Sequence, residues 1–214
     1  MEIGMKRPVL VGITGGLASG KSTVSRFWAT TMDLPRIDID EVCRQLLAKD
    51  MPGWHALRSL LPGTFFTAQG DLDRRRLRTA LFVDDELRRQ INGLVHPLAQ
   101  DRLWTLVDRL AESMVLVDIP LLYEAGWQDR FDHHVVVYAN RAACCRRLIA
   151  RDRITPEEAV RSLAVQMPLA EKALLAGHVI DNSGCWLFAR LQVMHLARLL
   201  APVSSLTIVL QESP

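Results

Sequence analysis

Apolar residues recur along this chain with two periods, one of strands and one of helices. Val9-Leu10-Val11-Gly12-Ile13 is a continuous apolar run, the pattern of a strand buried on both faces. Thr23-Val24-Ser25-Arg26-Phe27-Trp28 reads as the opening of a helix. Leu34-Pro35-Arg36-Ile37-Asp38 is a second strand candidate, and Glu41 to Lys49 reads as helical. From 51 to 112 the helical period dominates. Leu57, Leu60 and Leu61 mark one stretch, and Leu77, Leu81, Leu87, Ile91 and Leu94 another. Leu103, Leu106, Val107 and Leu110 follow at i, i+3, i+4, i+7. Met114-Val115-Leu116-Val117-Asp118 and His134-Val135-Val136-Val137-Tyr138 are again buried-strand runs. Arg141 to about Leu175 is helical, with Thr155-Pro156-Glu157-Glu158 as a helix start. His178 to Asn182 is a last strand candidate, and Trp186 to Leu200 an amphipathic helix. This alternation predicts an α/β fold with a doubly wound, five-stranded parallel sheet. Its ligand should lie at the C-terminal edge of the strands.

A chain of 214 residues suits one such domain with an excursion or lid. With 49% hydrophobic and 23% charged residues it is an ordinary globular composition, and a net charge of +2 gives no bulk signal for nucleic acid. Arginine is dense at 74–78 and 146–153, beside acidic residues. Such runs read either as solvated helix faces or as phosphate contacts. Cys43, Cys144, Cys145 and Cys185 form no CxxC pair, so they read as reduced, packed thiols of a cytoplasmic protein. No apolar run approaches the ~20 residues of a membrane span. The first apolar run leads into a glycine loop rather than a cleavage site, so it is not expected to be a signal.

That loop carries the strongest chemical signal. Gly15-Gly16-Leu17-Ala18-Ser19-Gly20-Lys21-Ser22 fits G-x-x-x-x-G-K-[ST] and lies between a strand and a helix. Glycines let the backbone wrap so that N–H groups face phosphate oxygens, and the helix N-terminus adds partial positive charge. Lys21 supplies a full charge to the β- and γ-phosphates, and Ser22 offers a hydroxyl to Mg²⁺.

Three carboxylates and a histidine join it as candidates. Asp38 and Asp40 follow the second strand candidate. There a carboxylate can take a proton from an attacking hydroxyl or hold Mg²⁺. From spacing alone Asp40 reads equally as the N-cap of a helix opening at Glu41. Asp118 ends an apolar strand, as a Mg²⁺-ordering acid or as a turn residue. His96-Pro97, after a helical stretch, reads first as a turn. The five tryptophans read mostly as packing.

The ordered set of motifs resembles the dephospho-CoA kinase family. Gly12 to Thr23 is similar to its phosphate loop, and Ile37-Asp38-Ile39-Asp40-Glu41-Val42-Cys43-Arg44 to its D-A-D-x-x-x-R motif. Gly70-Asp71-Leu72-Asp73-Arg74 through Leu77-Arg78 and Phe82 resembles G-x-L-x-R-x-x-L-R-x-x-x-F, and His96-Pro97-Leu98 its H-P. Asp118-Ile119-Pro120-Leu121-Leu122-Tyr123-Glu124 resembles P-L-L-x-E. Arg147-Leu148, Arg151-Asp152, Gln166-Met167-Pro168 and Glu171-Lys172 resemble its lid, and Val179-Ile180-Asp181-Asn182-Ser183-Gly184 its closing V-I-x-N-x-G. The resemblance runs from about residue 8 to about 200.

It implies a three-layer phosphate-loop NTPase fold and an ATP-dependent phosphoryl transfer to dephospho-CoA, with Mg²⁺. The core would be 1–47, 113–140 and 176–214, the helical acceptor domain 48–112 and the helical lid 141–175. Gly16, Leu17, Ala18, Ser19, Gly20, Lys21, Ser22 and Thr23 would hold ATP, with Arg147 and Arg151 from the lid. Asp40 would be the general base toward the ribose 3′-hydroxyl, with Lys21 also catalytic. Asp38, Arg44, Arg74, Arg78 and His96 would hold the acceptor, and Ser22 and Asp118 the metal. The partners would be ATP and dephospho-CoA, with neither nucleic acid nor membrane, in a monomer or small homo-oligomer. The chain departs from the family at Ala176-Gly177-His178, where A-D-x is common, and at Ile39, where alanine is usual. A strand-like apolar tail, Ser205 to Leu210, follows the last helix. Rivals are another phosphate-loop kinase, a GTPase, which would need an N-K-x-D motif that does not occur, and a nucleotide-binding module without turnover.

Overall fold

Val9–Gly15 forms β1, and its neighbours on both sides explain why it is apolar nearly throughout. In the computed structural model, which describes residues 7–201, five strands run parallel in the order β2-β3-β1-β4-β5. The others are β2 (Arg36–Asp38), β3 (Met114–Asp118), β4 (His133–Tyr138) and β5 (His178–Asp181). Ile13 faces Asp118 of β3 and Val135 of β4, and Val137 faces Ile180 of β5. The parallel register therefore gathers the ends of β1, β3, β4 and β5 at one sheet edge. The second strand begins at Arg36, two residues later than its apolar run suggests. The apolar tail at 205–210 lies outside the described residues.

One face of the sheet presents Val11, Ile13, Leu116, Val137 and Ile180 to two helices, α1 (Lys21–Met32) and the last helix, Trp186–Leu200. Trp28 of α1 and Val193 of that last helix are buried against it. On the other face Gly12 lets the Phe131 ring approach, since a Cβ there would lie 3.1 Å from it. This is the three-layer phosphate-loop architecture.

The described residues gather into two compact units, divided between Ile37 and Asp38 and between Arg109 and Leu110. The segment 141–175 belongs to the unit containing the sheet. Its continuous helical period resolves into three helices: Arg141–Asp152, Pro156–Leu163 and Leu169–Leu175. Arg153, at φ 55°, ends the first, and Pro168 precedes the third. The second starts at the expected place. Thr155 Oγ1 accepts from the Glu158 N–H at 3.2 Å, and Glu158 Oε2 accepts from the Thr155 N–H at 2.8 Å, a reciprocal capping box.

The other unit contains α2 (Ile39–Leu46), α3 (Pro52–Leu60), α4 (Arg74–Val83) and α5 (Asp85–Val107). Continuing the count, the three helices of 141–175 are α6, α7 and α8, and Trp186–Leu200 is α9. Leu57, Leu61, Phe66, Leu77, Ile91 and Val95 form the core of this second unit. His96-Pro97 is not a turn, because α5 runs through it. Its buried stripe, Ile91, Val95, Ala99, Leu103 and Val107, spans the proline. Packing along that stripe outweighs the one backbone hydrogen bond that Pro97 cannot donate. Of the four thiols, Cys144 is buried, whereas Cys185 is exposed rather than packed.

Trp28→Ala empties a fully buried position beneath the sheet and is expected to destabilise the protein by about 3–5 kcal/mol. A fall in the urea midpoint at unchanged denaturant dependence would show it.

Candidate active site

The phosphate loop owes its shape to positions that only a small residue can occupy. Gly20 sits at φ 91°, and a Cβ on it would lie 2.2 Å from Asn182 Nδ2. Gly16 lies against Leu169, whose Cγ would be 2.9 Å from an added Cβ. The backbone turns through a bond from Ser19 N–H to Gly16 O at 3.1 Å, and α1 opens with bonds from the Thr23 and Val24 N–H groups to Gly20 O. No side chain caps α1, and no acid lies in its first turn. Its leading N–H groups and its partial positive charge are thus left to an anion.

The loop carbonyls are held outward. Arg147 donates from Nη1 to Ala18 O at 3.4 Å and Ser19 O at 3.2 Å, and from Nη2 to Asn182 O at 2.6 Å. Asn182 Nδ2 donates to Ser19 O at 2.8 Å. In a trans peptide C=O and N–H point oppositely, so holding Ser19 O outward aims the Gly20 N–H into the loop. Arg147 reaches the loop as a brace on its carbonyls. Arg151 does not, because its guanidinium is held by the adjacent Asp152 at 2.7 and 2.8 Å.

Asp118 is fully buried at the end of β3 and is neutralised in place. Lys21 Nζ pairs with its Oδ1, and Arg36 Nη1 donates to Oδ2 at 3.0 Å. Ser25 Oγ donates to the same Oδ2 at 2.8 Å. Arg36 and Ser25 were not anticipated from sequence, although an arginine inside the short strand Arg36–Asp38 was a usable signal. The oxygen types here are those Mg²⁺ takes, and Asp118 would have to release Lys21 or Arg36 to reach the ion. The Ser22 hydroxyl and the Asp118 carboxylate are hard oxygens, and Mg²⁺ commonly takes one or two such side chains plus phosphate oxygens. Among the described residues no group of three or more His, Cys, Asp or Glu makes a metal cage.

A third group of contacts comes from the segment before and within α8. Gln166 Oε1 accepts from the Leu17 N–H at 3.1 Å, and the buried Lys172 donates to Gly15 O at 3.3 Å. Beside them lies a cavity of about 400 Å³ whose lining includes Gly16, Leu17, Tyr138, Cys144 and Met167. In the sequence Gln166 and Lys172 stand in the lid-like motif, which assigns neither a task.

In the second unit Asp38, Arg44 and Arg74 meet at α2, while Arg78 and His96 lie on α4 and α5. Helix α2 is capped by Asp38 rather than Asp40. Asp38 Oδ1 accepts from the Asp40 N–H at 3.0 Å and the Glu41 N–H at 3.4 Å. The helix starts two residues earlier than its periodicity suggests, which puts Asp40 in the first turn with its side chain exposed. The Asp40 carbonyl accepts from Arg44 Nε at 3.3 Å, and Arg44 pairs with Glu41 at 2.8 Å. Arg74 Nη2 donates to Arg44 O at 2.8 Å. Arg78, on α4, is exposed. His96 is half-buried on α5, and burial lowers its pKa. One turn beyond Asp40, burial first and the Asp40 charge second push the Cys43 thiol up to about 11.

Residues 9–186 match the dephospho-CoA kinase family. A dephospho-CoA kinase of Geobacillus kaustophilus is 39% identical over 181 residues, covering 81% of this chain and 88% of that protein. The crystal structure of TT1252 from Thermus thermophilus is similar at a TM-score of 0.78 and 30% identity, covering 92% of this chain and 100% of that one. Dephospho-CoA kinase from Campylobacter jejuni shares the fold at a TM-score of 0.64 and 20% identity, over 88% of this chain and 95% of that one.

Three outcomes are expected of this geometry. Gly20→Ala should weaken ATP binding by roughly tenfold or more, through strain at positive φ and displacement of Asn182, as titration calorimetry would show. Cys43 should alkylate far more slowly than the exposed Cys185 at pH 8, its rate climbing toward a midpoint of about 11. Asp40→Asn should move that midpoint down, because removing a nearby negative charge favours the thiolate. Peptide-level mass spectrometry reads both rates.

Proposed function

The chain belongs to the dephospho-CoA kinase family, from which we infer how its residues divide the work of one phosphoryl transfer. The enzyme transfers the γ-phosphoryl group of ATP to the ribose 3′-hydroxyl of 3′-dephospho-CoA, giving CoA and ADP, the last step of coenzyme A biosynthesis. Such a transfer asks the protein mainly for positioning and for neutralisation of charge.

The observation that carries the reading is the uncapped, acid-free start of α1, beneath a loop whose carbonyls Arg147 and Asn182 hold outward. On this reading the loop from Gly16 to Thr23 cradles the triphosphate through the amides not already bonded to Gln166 Oε1, Gly16 O and Gly20 O, and Lys21 extends its charge from Asp118 toward the β- and γ-phosphates. Ser22 and Asp118 would hold Mg²⁺, which would offset the charge that develops on the phosphate oxygens. Asp40 accepts the proton of the 3′-hydroxyl as its oxygen bonds to the γ-phosphorus. The bond from that phosphorus to the β–γ bridging oxygen breaks, and ADP carries the electron pair away. Asp38, by capping α2, fixes the turn on which Asp40 rides, and Arg44 joins it in holding the acceptor. Arg74, Arg78 and His96 take the rest of dephospho-CoA, within an acceptor domain of 48–112.

The segment 141–175 would act as the lid over ATP, with Arg147 bracing the loop carbonyls and Arg151 exchanging Asp152 for a phosphate. The remaining stretches, 1–47, 113–140 and 176–214, would be the nucleotide core. Excluding water protects ATP from hydrolysis during the transfer. We further propose a cytoplasmic enzyme, monomer or small homo-oligomer, whose partners are these small substrates rather than nucleic acid or a membrane. No helix among the described residues is long and apolar enough to cross a membrane.

The first test is ADP release with Mg-ATP and dephospho-CoA beside adenosine, AMP and shikimate. Release that depends on dephospho-CoA and yields CoA is expected, and preference for another acceptor would refute the assignment. Asp40→Asn should lower kcat by roughly 10²- to 10⁴-fold while ATP binding persists. Lys21→Ala should weaken binding and rate together. Chelation of divalent cations should abolish turnover, and added Mg²⁺ should restore it.

A further inference from the structure

Lys172, on α8, has no exposed surface. An ammonium sealed in this way needs an acceptor for each of its three protons. It has three: Glu124 Oε1 at 2.8 Å, Pro120 O at 3.1 Å and Gly15 O at 3.3 Å. These acceptors are not scattered. Gly15 ends β1 and opens the phosphate loop. Pro120 lies two residues beyond Asp118, and its carbonyl also accepts from Thr14 Oγ1 at 3.2 Å. Glu124 Oε1 also accepts from the Met167 N–H at 3.3 Å, just ahead of α8. A single charge thus ties α8 to the exits of two neighbouring central strands, β1 and β3.

The rest of that segment holds the next two loop residues. Leu169 packs on Gly16, and Gln166 Oε1 accepts from the Leu17 N–H at 3.1 Å. Residues 15, 16 and 17 are therefore held in turn by 172, 169 and 166, while Arg147 and Asn182 hold 18 and 19 from elsewhere. A well-packed apolar side chain would join α8 to the sheet at least as well as a buried charge does. What the charge adds is direction, because it aims two backbone carbonyls and a carboxylate at one point. Holding Gly15 O in this way fixes the opposite heading of the Gly16 N–H, the first amide of the loop.

We propose that Lys172 is a positioning residue for phosphoryl transfer. Without touching ATP, it sets the first peptide of the phosphate loop and the backbone just past Asp118. This rests on the reading above that the loop holds ATP.

The test separates positioning from plain charge balance. Lys172→Met alone strands Glu124, whereas Lys172→Met with Glu124→Gln removes both charges. In the paired variant we expect a melting temperature near that of the native enzyme. Its Kd for ATP, measured by calorimetry without acceptor, should rise roughly threefold or more. Its kcat should fall roughly tenfold to a hundredfold, the scale of a small misplacement, with KM for dephospho-CoA within about twofold of native. A folded paired variant whose ATP Kd or kcat stays within about twofold of native overturns the proposal.

If the paired variant does not fold, Glu124→Ala decides, since that side chain is partly exposed. A kcat lowered about threefold at unchanged KM for dephospho-CoA supports positioning, and an unchanged kcat refutes it. Native enzyme that makes no CoA would instead sink the acceptor assignment, and ATP Kd would still report on Lys172.

Discussion

A carboxylate sealed from water at the end of β3 sets the layout of the nucleotide site. Asp118 has no exposed surface, and an isolated charge there would cost several kcal/mol of desolvation, on the order found for buried ions. Its neutralisation draws on Lys21 from the start of α1, Ser25 one turn later, and Arg36 from β2. The register that pairs Ile13 with Asp118 places the acid beside the strand that feeds the phosphate loop. The contact that makes the buried acid tolerable therefore also keeps the Lys21 ammonium at the mouth of the loop.

Around that centre the loop is held from two sides. The segment 166–172 grips residues 15 to 17, and Arg147 with Asn182 grips residues 18 and 19. Amides fixed before the ligand arrives need no reorganisation when charge builds up on a phosphate, which is the main electrostatic means of lowering such a barrier. Two of these holders, Arg147 and Lys172, lie on helices of the segment we propose as the lid. A displacement of that segment would then be felt by the loop directly.

In the second unit the residues we propose for catalysis and acceptor binding begin at one helix end. Asp38 caps α2, and the cap delivers Asp40 to the helix's first turn. The influence of Asp40 is felt at Cys43, whose thiol is pushed up partly by that charge. Arg74 closes on the far end of α2 through the Arg44 carbonyl.

Much of this was written in local pattern. Continuous apolar runs marked β1, β3 and β4 because strands covered on both faces need no polar alternation, and the capping box at Thr155 marked its helix because both partners lie within one turn. The phosphate loop was legible for the same reason, since glycine geometry and the following lysine are contiguous. Two local expectations gave way. Pro97 lies inside α5 because the buried stripe on either side of it outweighs one lost hydrogen bond, and Asp38 rather than Asp40 caps α2. Contiguous residues carry β1, β3, β4, the loop and the identity of the charged groups. Folding alone brings Arg36 and Ser25 to Asp118 and carries Lys172 to Gly15 across 157 positions of chain. A buried charge takes whichever partners the fold brings within 3 Å or so, and no spacing along the chain encodes that distance.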